Sequence, residues 1–284
     1  MLKNVAGVWC EGKPSEDEWT VRTYDLGNGH REAVITRPVV WAEVEPEQAA
    51  YLGEDWAELQ AKQREEDAEE REQANRLRSA RRAKTRVRRL VKVMGLDALL
   101  TLTYRANQTD LKLCKEHFAA FARRTRKLLP GFRYVAAFEQ QKRGAWHVHI
   151  AVHALPRELP WAGVKVKSYS VIRAIWRNVV GDLAGNIDQQ RRKRNSKQSS
   201  SKLAAYLSKY MLKAFEEGDD WSNRYSASSC DVPRPVMLRF RSEALRDLVD
   251  LVFQDIVIGD AEVTMWMSRF GDVFYLSAEG ALSP

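Results

Sequence analysis

The chain has 284 residues, with 46 Lys and Arg against 38 Asp and Glu, so its formal net charge is +8. That basic balance permits nucleic-acid binding without proving it. Three widely spaced cysteines, Cys10, Cys114 and Cys230, indicate neither a disulfide framework nor a set of zinc ligands. No apolar run reaches about eighteen residues, and the N-terminus lacks the apolar stretch of a signal peptide, so we expect a cytoplasmic protein with no membrane partner.

The first 95 residues divide into two predicted segments. Residues 1–53 contain alternating apolar positions on both sides of Gly27-Asn28-Gly29, which predicts a β-hairpin of unknown role. Residues 54–95 contain few helix breakers and predict a long charged helix, acidic first and then basic. Residues 76–92 include no acidic residue. A solvated helix and a DNA-contacting helix are equally good interpretations of that run.

The remainder predicts an α+β unit followed by a C-terminal extension. The predicted order is strand-helix-strand-strand-helix-strand, which is the ferredoxin-like arrangement of an antiparallel sheet with helices on one face. A further helix follows this unit, and residues 231–284 add a helix and a hairpin. In chain order the strands are 98–105, 132–139, the strand around 146–153 and 187–189, and the helices are 111–129, 170–183, 201–215 and 243–254.

Two histidines stand two residues apart in the third of these strands. Side chains at that spacing point to the same face, so His147 and His149 project side by side, as two ligands of one divalent ion would. Two imidazoles are usually too few, and a carboxylate is the natural third ligand. Glu139 ends the preceding strand, and hairpin pairing would bring it near the pair. The alternative is a pair of partly exposed histidines that bind only their neighbours.

Two tyrosines stand four residues apart in the helix predicted over 201–215. Each is followed by a lysine three residues on, so that Tyr206 precedes Lys209 and Tyr210 precedes Lys213. Residues at this spacing share one helix face, and a nearby cation helps a phenol to act as a nucleophile. The alternative is that the tyrosines belong to the helix's core-facing stripe together with Leu203 and Leu207.

Three blocks, in this order, resemble the motifs of a known family. Leu100-Thr101-Leu102-Thr103-Tyr104 looks like its first motif, His147-Val148-His149 like its second, and residues 206–213 like its third. The family is the HUH endonucleases, and within it the rolling-circle replication initiators of single-stranded-DNA phages and plasmids. The resemblance covers roughly residues 76–215 and implies that 96–230 is the nicking domain, with the histidine strand near the centre of its sheet.

The resemblance implies a specific chemistry. His147, His149 and Glu139 would hold Mg²⁺ or Mn²⁺, and Tyr206 and Tyr210, assisted by Lys209 and Lys213, would attack DNA to form a 5′-phosphotyrosine. The paired tyrosines resemble the two-tyrosine subclass. If only one is used, the setting of Tyr210 matches the single-tyrosine relatives.

The expected partner is single-stranded or stem-loop origin DNA in a bacterial host cell. The predicted DNA contacts are Thr101, Thr103 and Tyr104 of the first motif and the basic run Arg191, Arg192, Lys193 and Arg194. Alternation puts Thr101 and Thr103 on one strand face and Tyr104 on the other, so only one set can line the site. No P-loop motif occurs, so we expect a host helicase and a host polymerase to take part. A relaxase or a single-strand transposase with the same chemistry stays open, as does a non-catalytic DNA-binding regulator.

Overall fold

The computed structural model describes residues 2–5, 8–44, 54–161, 163–190, 200–216 and 225–280. Within these ranges it gives only the backbone for 2–5, 9, 54–71, 73, 74, 190 and 210–216. The chain forms two compact units. The first contains Met1–Asn75 and Pro233–Pro284, and the second contains Arg76–Val232. We call the second the sheet unit.

The elements follow in chain order. The first unit begins with five strands, β1 Leu2–Val5, β2 Val8–Pro14, β3 Glu18–Gly27, β4 His30–Thr36 and β5 Val39–Glu43. The helix α1 Glu54–Val93 continues into the sheet unit. The sheet unit then contains β6 Ala98–Tyr104, α2 Leu111–Leu128, β7 Tyr134–Gln140, β8 Trp146–Val152, β9 Glu158–Trp161, β10 Val164–Lys167, α3 Ser168–Val180, β11 Gly185–Gln190, α4 Ser200–Glu216 and β12 Tyr225–Ala227. The chain returns to the first unit with β13 Val236–Arg241, α5 Leu245–Ile256, β14 Glu262–Met267 and β15 Val273–Glu279.

The sheet unit is built on an antiparallel sheet of order β11-β6-β8-β7-β12. Leaving out β12, the four predicted strands have the spatial order fourth-first-third-second, with β8 paired on both sides. The predicted α+β class with an antiparallel sheet is therefore confirmed.

Alternation along β8 separates two cores on the two sides of this sheet. Trp146, Val148 and Ile150 face the core that includes residues of α2 and α3. Ala151 faces a second core that includes Leu90 of α1 and residues of α4. The prediction of helices on one face holds for α2 and α3, but it omitted this second layer. Strands β6, β7 and β8 are apolar enough to need cover on both sides.

Local chemistry explains where the helices of the sheet unit begin and end. The Asp110 carboxylate caps the start of α2, accepting hydrogen bonds from the backbone N–H of Lys112 at 2.7 Å and of Leu113 at 3.3 Å. Helix α3 ends at Gly181, whose φ of 55° lies in the left-handed region. Sequence periodicity predicted both helices to within a few residues.

The first unit contains a sheet of order β13-β3-β4-β15-β14. The predicted hairpin is confirmed, because β3 and β4 pair across Asn28 and Gly29, both of which have positive φ. One face of this sheet packs against α5. Residues 1–53 and 231–284, treated as separate regions in the sequence, thus contribute strands to one sheet. Within the described ranges, no helix combines the length and the apolar character needed to cross a membrane.

Gly185 provides a test of the packing beside β6. A Cβ at this position would lie 2.5 Å from Nε1 and 2.6 Å from Cδ1 of the buried Trp176. That indole donates a hydrogen bond to the Thr103 carbonyl at 2.9 Å, so it cannot move without losing its partner. We expect Gly185→Ala to lower the free energy of unfolding by about 1–3 kcal/mol, measured by urea denaturation.

Gly131→Ala is the matched control, because a Cβ at that position would have nothing within 4 Å of it. It should change the unfolding free energy by no more than about 0.5 kcal/mol. Equal effects of the two substitutions would contradict the packing at Trp176.

Candidate active site

The two histidines lie on the central strand of the sheet, on the face opposite to α2 and α3. His149 stands opposite Thr101 of β6 and Ala137 of β7 in register, and His147 stands opposite Glu139. The centroids of the two imidazole rings are 6.3 Å apart. Strand alternation therefore brings the rings together as the spacing predicted.

His149 is held from both neighbouring strands. Its Nε2 lies 2.8 Å from Oε2 of Glu139, and its Nδ1 lies 3.3 Å from Oγ1 of Thr101. With the proton on Nε2, the ring donates to the carboxylate and accepts from the threonine hydroxyl. If Nε2 loses that proton to bind an ion, the same hydroxyl can accept from Nδ1–H. Thr101, predicted as a DNA contact, therefore orients this imidazole in either tautomer.

His147 has a different environment. Nδ1 lies 2.9 Å from Nε2 of Gln141, while its own Nε2 is buried and has no hydrogen-bond partner among the described residues. Burial, His149 and Arg143 lower the pKa of His147 to about 4, although Glu139 acts in the opposite direction. The imidazole is therefore neutral at physiological pH, which is the form that binds metals.

Tyr206 lies on the histidine side of the sheet. Helix α4 packs onto this face through Ala204 and Leu207, both 0% exposed. The Tyr206 side chain stays 42% exposed, and its ring meets the His149 imidazole edge-on, with centroids 6.2 Å apart at 89°. The alternative that Tyr206 is part of the buried stripe is therefore wrong, whereas Leu207 does belong to it. A phenol and an imidazole pair from distant parts of the sequence share one partly open site.

Several residues predicted from the sequence are not brought together with this site. Lys209 is an exposed side chain of α4. The side chains of Tyr210 and Lys213, and the whole of Arg191, Arg192, Lys193 and Arg194, lie outside the described residues. Their roles stay predictions.

Within the first motif, the structure separates the two threonines from the tyrosine. Thr103 shares the face of Thr101 and donates a hydrogen bond to the Asn186 carbonyl at 3.2 Å. Tyr104 lies on the other face, 2% exposed, and its hydroxyl lies 3.1 Å from Nδ1 of His117. Burial raises the pKa of Tyr104. A DNA contact by Tyr104 is therefore wrong, because its ring is packed in the core beneath the sheet.

The donor chemistry of the site fits a divalent ion in part. Ligand bonds to such ions are about 2.0–2.2 Å long, so neighbouring ligands stand about 3 Å apart, close to the 2.8 Å between His149 and Glu139. His147 adds a buried nitrogen that needs a partner. Among the described residues, however, no group of three or more His, Cys, Asp or Glu side chains has the arrangement of a metal site. The metal assignment therefore stays a prediction.

Sequence reasoning missed two residues of the β7–β8 turn. Gln141 contacts His147, and Arg143 is an exposed cation close enough to influence the His147 pKa. The turn is closed by Gly144, at a φ of 88°, whose N–H donates to the Gln141 carbonyl at 2.7 Å. The signal was available, since Gln141-Lys142-Arg143-Gly144 leads directly into the histidine strand.

One family model matches this part of the chain. Residues 97–215, less than half of the sequence, match the model of the replication-associated protein ORF2 family. The match runs from β6 to α4 and so covers the histidine strand, Glu139 and the tyrosine helix. Comparisons with curated proteins and with solved structures found no significant match. The family match supports a replication initiator of the Rep type, for which DNA is the expected partner.

Proposed function

We propose that the protein is a site-specific single-stranded DNA endonuclease and strand transferase that starts rolling-circle replication. The observation that carries this proposal is the edge-on contact of Tyr206 with His149, at 6.2 Å between ring centroids, on an open face of the sheet. The match of residues 97–215 to replication-associated proteins supports the same function independently.

The proposed reaction is phosphodiester transfer to tyrosine. The phenolic oxygen of Tyr206 or Tyr210 bonds to phosphorus, the bond from phosphorus to the 3′ oxygen breaks, and the phenolic proton leaves to a base. The products are a 5′-phosphotyrosine and a free 3′-OH. Because the covalent linkage keeps the phosphodiester's reactivity, the 3′-OH can later attack it and rejoin the strand. The same 3′-OH can prime a host polymerase while a host helicase unwinds the duplex.

The chain's own side chains account for several requirements of that reaction. A phenol ordinarily has a pKa of about 10, so a nearby positive charge favours its reactive form. Lys209 follows Tyr206 on the exposed surface of α4, and the turn cations Lys142 and Arg143 flank the other end of the site. These cations suit binding of the scissile strand's phosphates.

His147, His149 and Glu139 are the residues that would hold a divalent ion. When bound, Mg²⁺ or Mn²⁺ would neutralise charge on the phosphate oxygens and help to orient the phosphate. Thr101 and Gln141 would fix the ring orientation of His149 and His147 respectively.

A non-catalytic DNA-binding regulator is the second candidate. The observation in its favour is that His149 and Glu139 pair with each other at 2.8 Å, as structural residues would. A covalent adduct with DNA separates the two candidates.

Tyrosine substitution tests the proposed nucleophile. With single-stranded origin DNA and Mn²⁺, the parent protein should form an adduct of retarded mobility on a denaturing gel. If Tyr206 attacks first, Tyr206→Phe should reduce the adduct at least about a thousandfold, because no nucleophilic oxygen remains. Tyr210→Phe tests the other phenol. Tyr169→Phe is the matched control, because it removes a hydroxyl from α3 on the opposite face.

Loss of the adduct in only one of Tyr206→Phe and Tyr210→Phe would name the nucleophile, and loss in both would show that both are needed. An adduct that survives removal of both phenols, or DNA binding by the parent without any adduct, would contradict the proposal.

Gln141 tests the metal assignment through a residue that is not itself a ligand. Its amide NH₂ and carbonyl have nearly the same shape, so a half-turn would let the carbonyl accept from Nδ1–H of His147 and direct the Nε2 lone pair to an ion. Gln141→Leu should weaken Mn²⁺ binding about tenfold to a hundredfold, measured by calorimetry. Raising the Mn²⁺ concentration should restore the rate of adduct formation.

The matched control is Gln140→Leu, since that exposed neighbour bonds only the Gly144 carbonyl. His149→Ala should abolish the adduct and leave salt-dependent DNA binding in place. If Gln141→Leu and Gln140→Leu bind Mn²⁺ equally well, the predicted orientation of His147 is wrong.

A further inference from the structure

A groove crosses the helical side of the sheet unit, opposite to the histidine face. It lies between α2, α3 and the β9–β10 ribbon, has a volume of about 570 Å³, and is lined by Arg124, Lys127, Leu128, Trp161, Ala174, Ile175 and Asn178. That volume is within the roughly 300–1,000 Å³ of small-molecule sites. None of these residues belongs to the candidate active site.

An exposed tryptophan forms one wall of the groove. Trp146 and Trp176 of the same unit are 3% and 0% exposed, whereas Trp161 is 46% exposed. It stands at the end of β9, opposite Val164 of β10, so the ribbon fixes its backbone. The neighbouring floor is apolar, with Ile175 buried and Leu128 half-buried. A flat ring beside an apolar floor is the arrangement that a stacked base requires.

The charge around the groove is positive. The segment of α2 from His117 onward and the whole of α3 contain Arg123, Arg124, Arg126, Lys127, Arg173 and Arg177, and no Asp or Glu. Arg124 and Lys127 are exposed at the rim, and Arg124 donates a hydrogen bond to the Asn178 side-chain carbonyl, which holds the guanidinium beside the groove. Phosphates are the ligands that such a rim favours.

We propose that this groove binds single-stranded DNA at a second site, with a base stacked on Trp161 and the adjoining phosphates bound by Arg124 and Lys127. Stacking and backbone contacts recognise a single strand without reading its sequence. The site would hold a strand segment on the far side of the sheet from the tyrosines. It does not depend on nicking, so it can fail or hold separately from the proposed function.

Photocrosslinking of the full chain tests the proposal. The probe is a fifteen-residue oligothymidylate with one 5-iodouracil, and EDTA is present so that no metal-dependent cleavage occurs. Irradiation should attach the base to Trp161, detected by mass spectrometry in the tryptic peptide 158–165. Trp161→Ala should raise the Kd for oligothymidylate at least about threefold, as expected for loss of base stacking.

Two matched controls accompany these variants. Trp266→Ala removes another exposed tryptophan, 58% exposed, in the first unit, and should leave the crosslink to Trp161 intact. Arg124→Gln with Lys127→Gln should weaken binding and reduce its salt dependence, while Lys112→Gln on the same helix should do neither. Thermal unfolding of each variant shows whether it is folded. No crosslink in 158–165, or a Kd for Trp161→Ala less than threefold above that of the parent, would overturn the proposal.

Discussion

The alternation of side chains along β8 is the constraint on which the rest of the sheet unit depends. Trp146, Val148 and Ile150 enter the core under α2 and α3, so His147 and His149 must project from the opposite face. Because β8 is paired on both sides, its register is fixed by β6 and β7 together. A shift of one residue would bury the imidazoles among apolar side chains and expose the tryptophan and valine. Packing energy and site geometry are therefore set by the same hydrogen-bonded strand.

The second layer of helices turns this strand face into a site. Leu90 of α1 and Leu207 of α4 pack on the histidine side of the sheet, which excludes water from part of that face and buries most of His149. Leu207 faces the sheet while the neighbouring Tyr206 stays half open, because successive residues of a helix point about 100° apart. The helix thus gains its stability from one residue and presents its phenol with the next. Glu139, Thr101 and Gln141 then determine how the two imidazoles are oriented.

Local patterns in the sequence were sufficient for much of this. Strand period, helix period and the Asn28-Gly29 turn predicted the elements and the α+β class, and the two-residue spacing predicted the shared face of His147 and His149. Contacts between distant strands were harder to predict. Glu139 is opposite His147 in register, yet its carboxylate reaches His149, a diagonal contact that depends on side-chain rotamers. The pairing of β13 with β3 joins segments over 200 residues apart, for which no local pattern exists. Alternation left two possible faces for the first motif, and only the packing of Tyr104 against His117 and Trp176 decides between them.

The central claim is that the site formed by His147 and His149 delivers a phosphate to a phenol of α4. Mass spectrometry of the trapped protein–DNA adduct tests it most directly, since trypsin cleaves after Lys202, Lys209 and Lys213 and so places Tyr206 and Tyr210 in separate peptides, 203–209 and 210–213. The account predicts a nucleotide linked to the tyrosine of one of these peptides, Tyr206 being the phenol that the structure describes beside His149. A nucleotide attached to any other residue would contradict it.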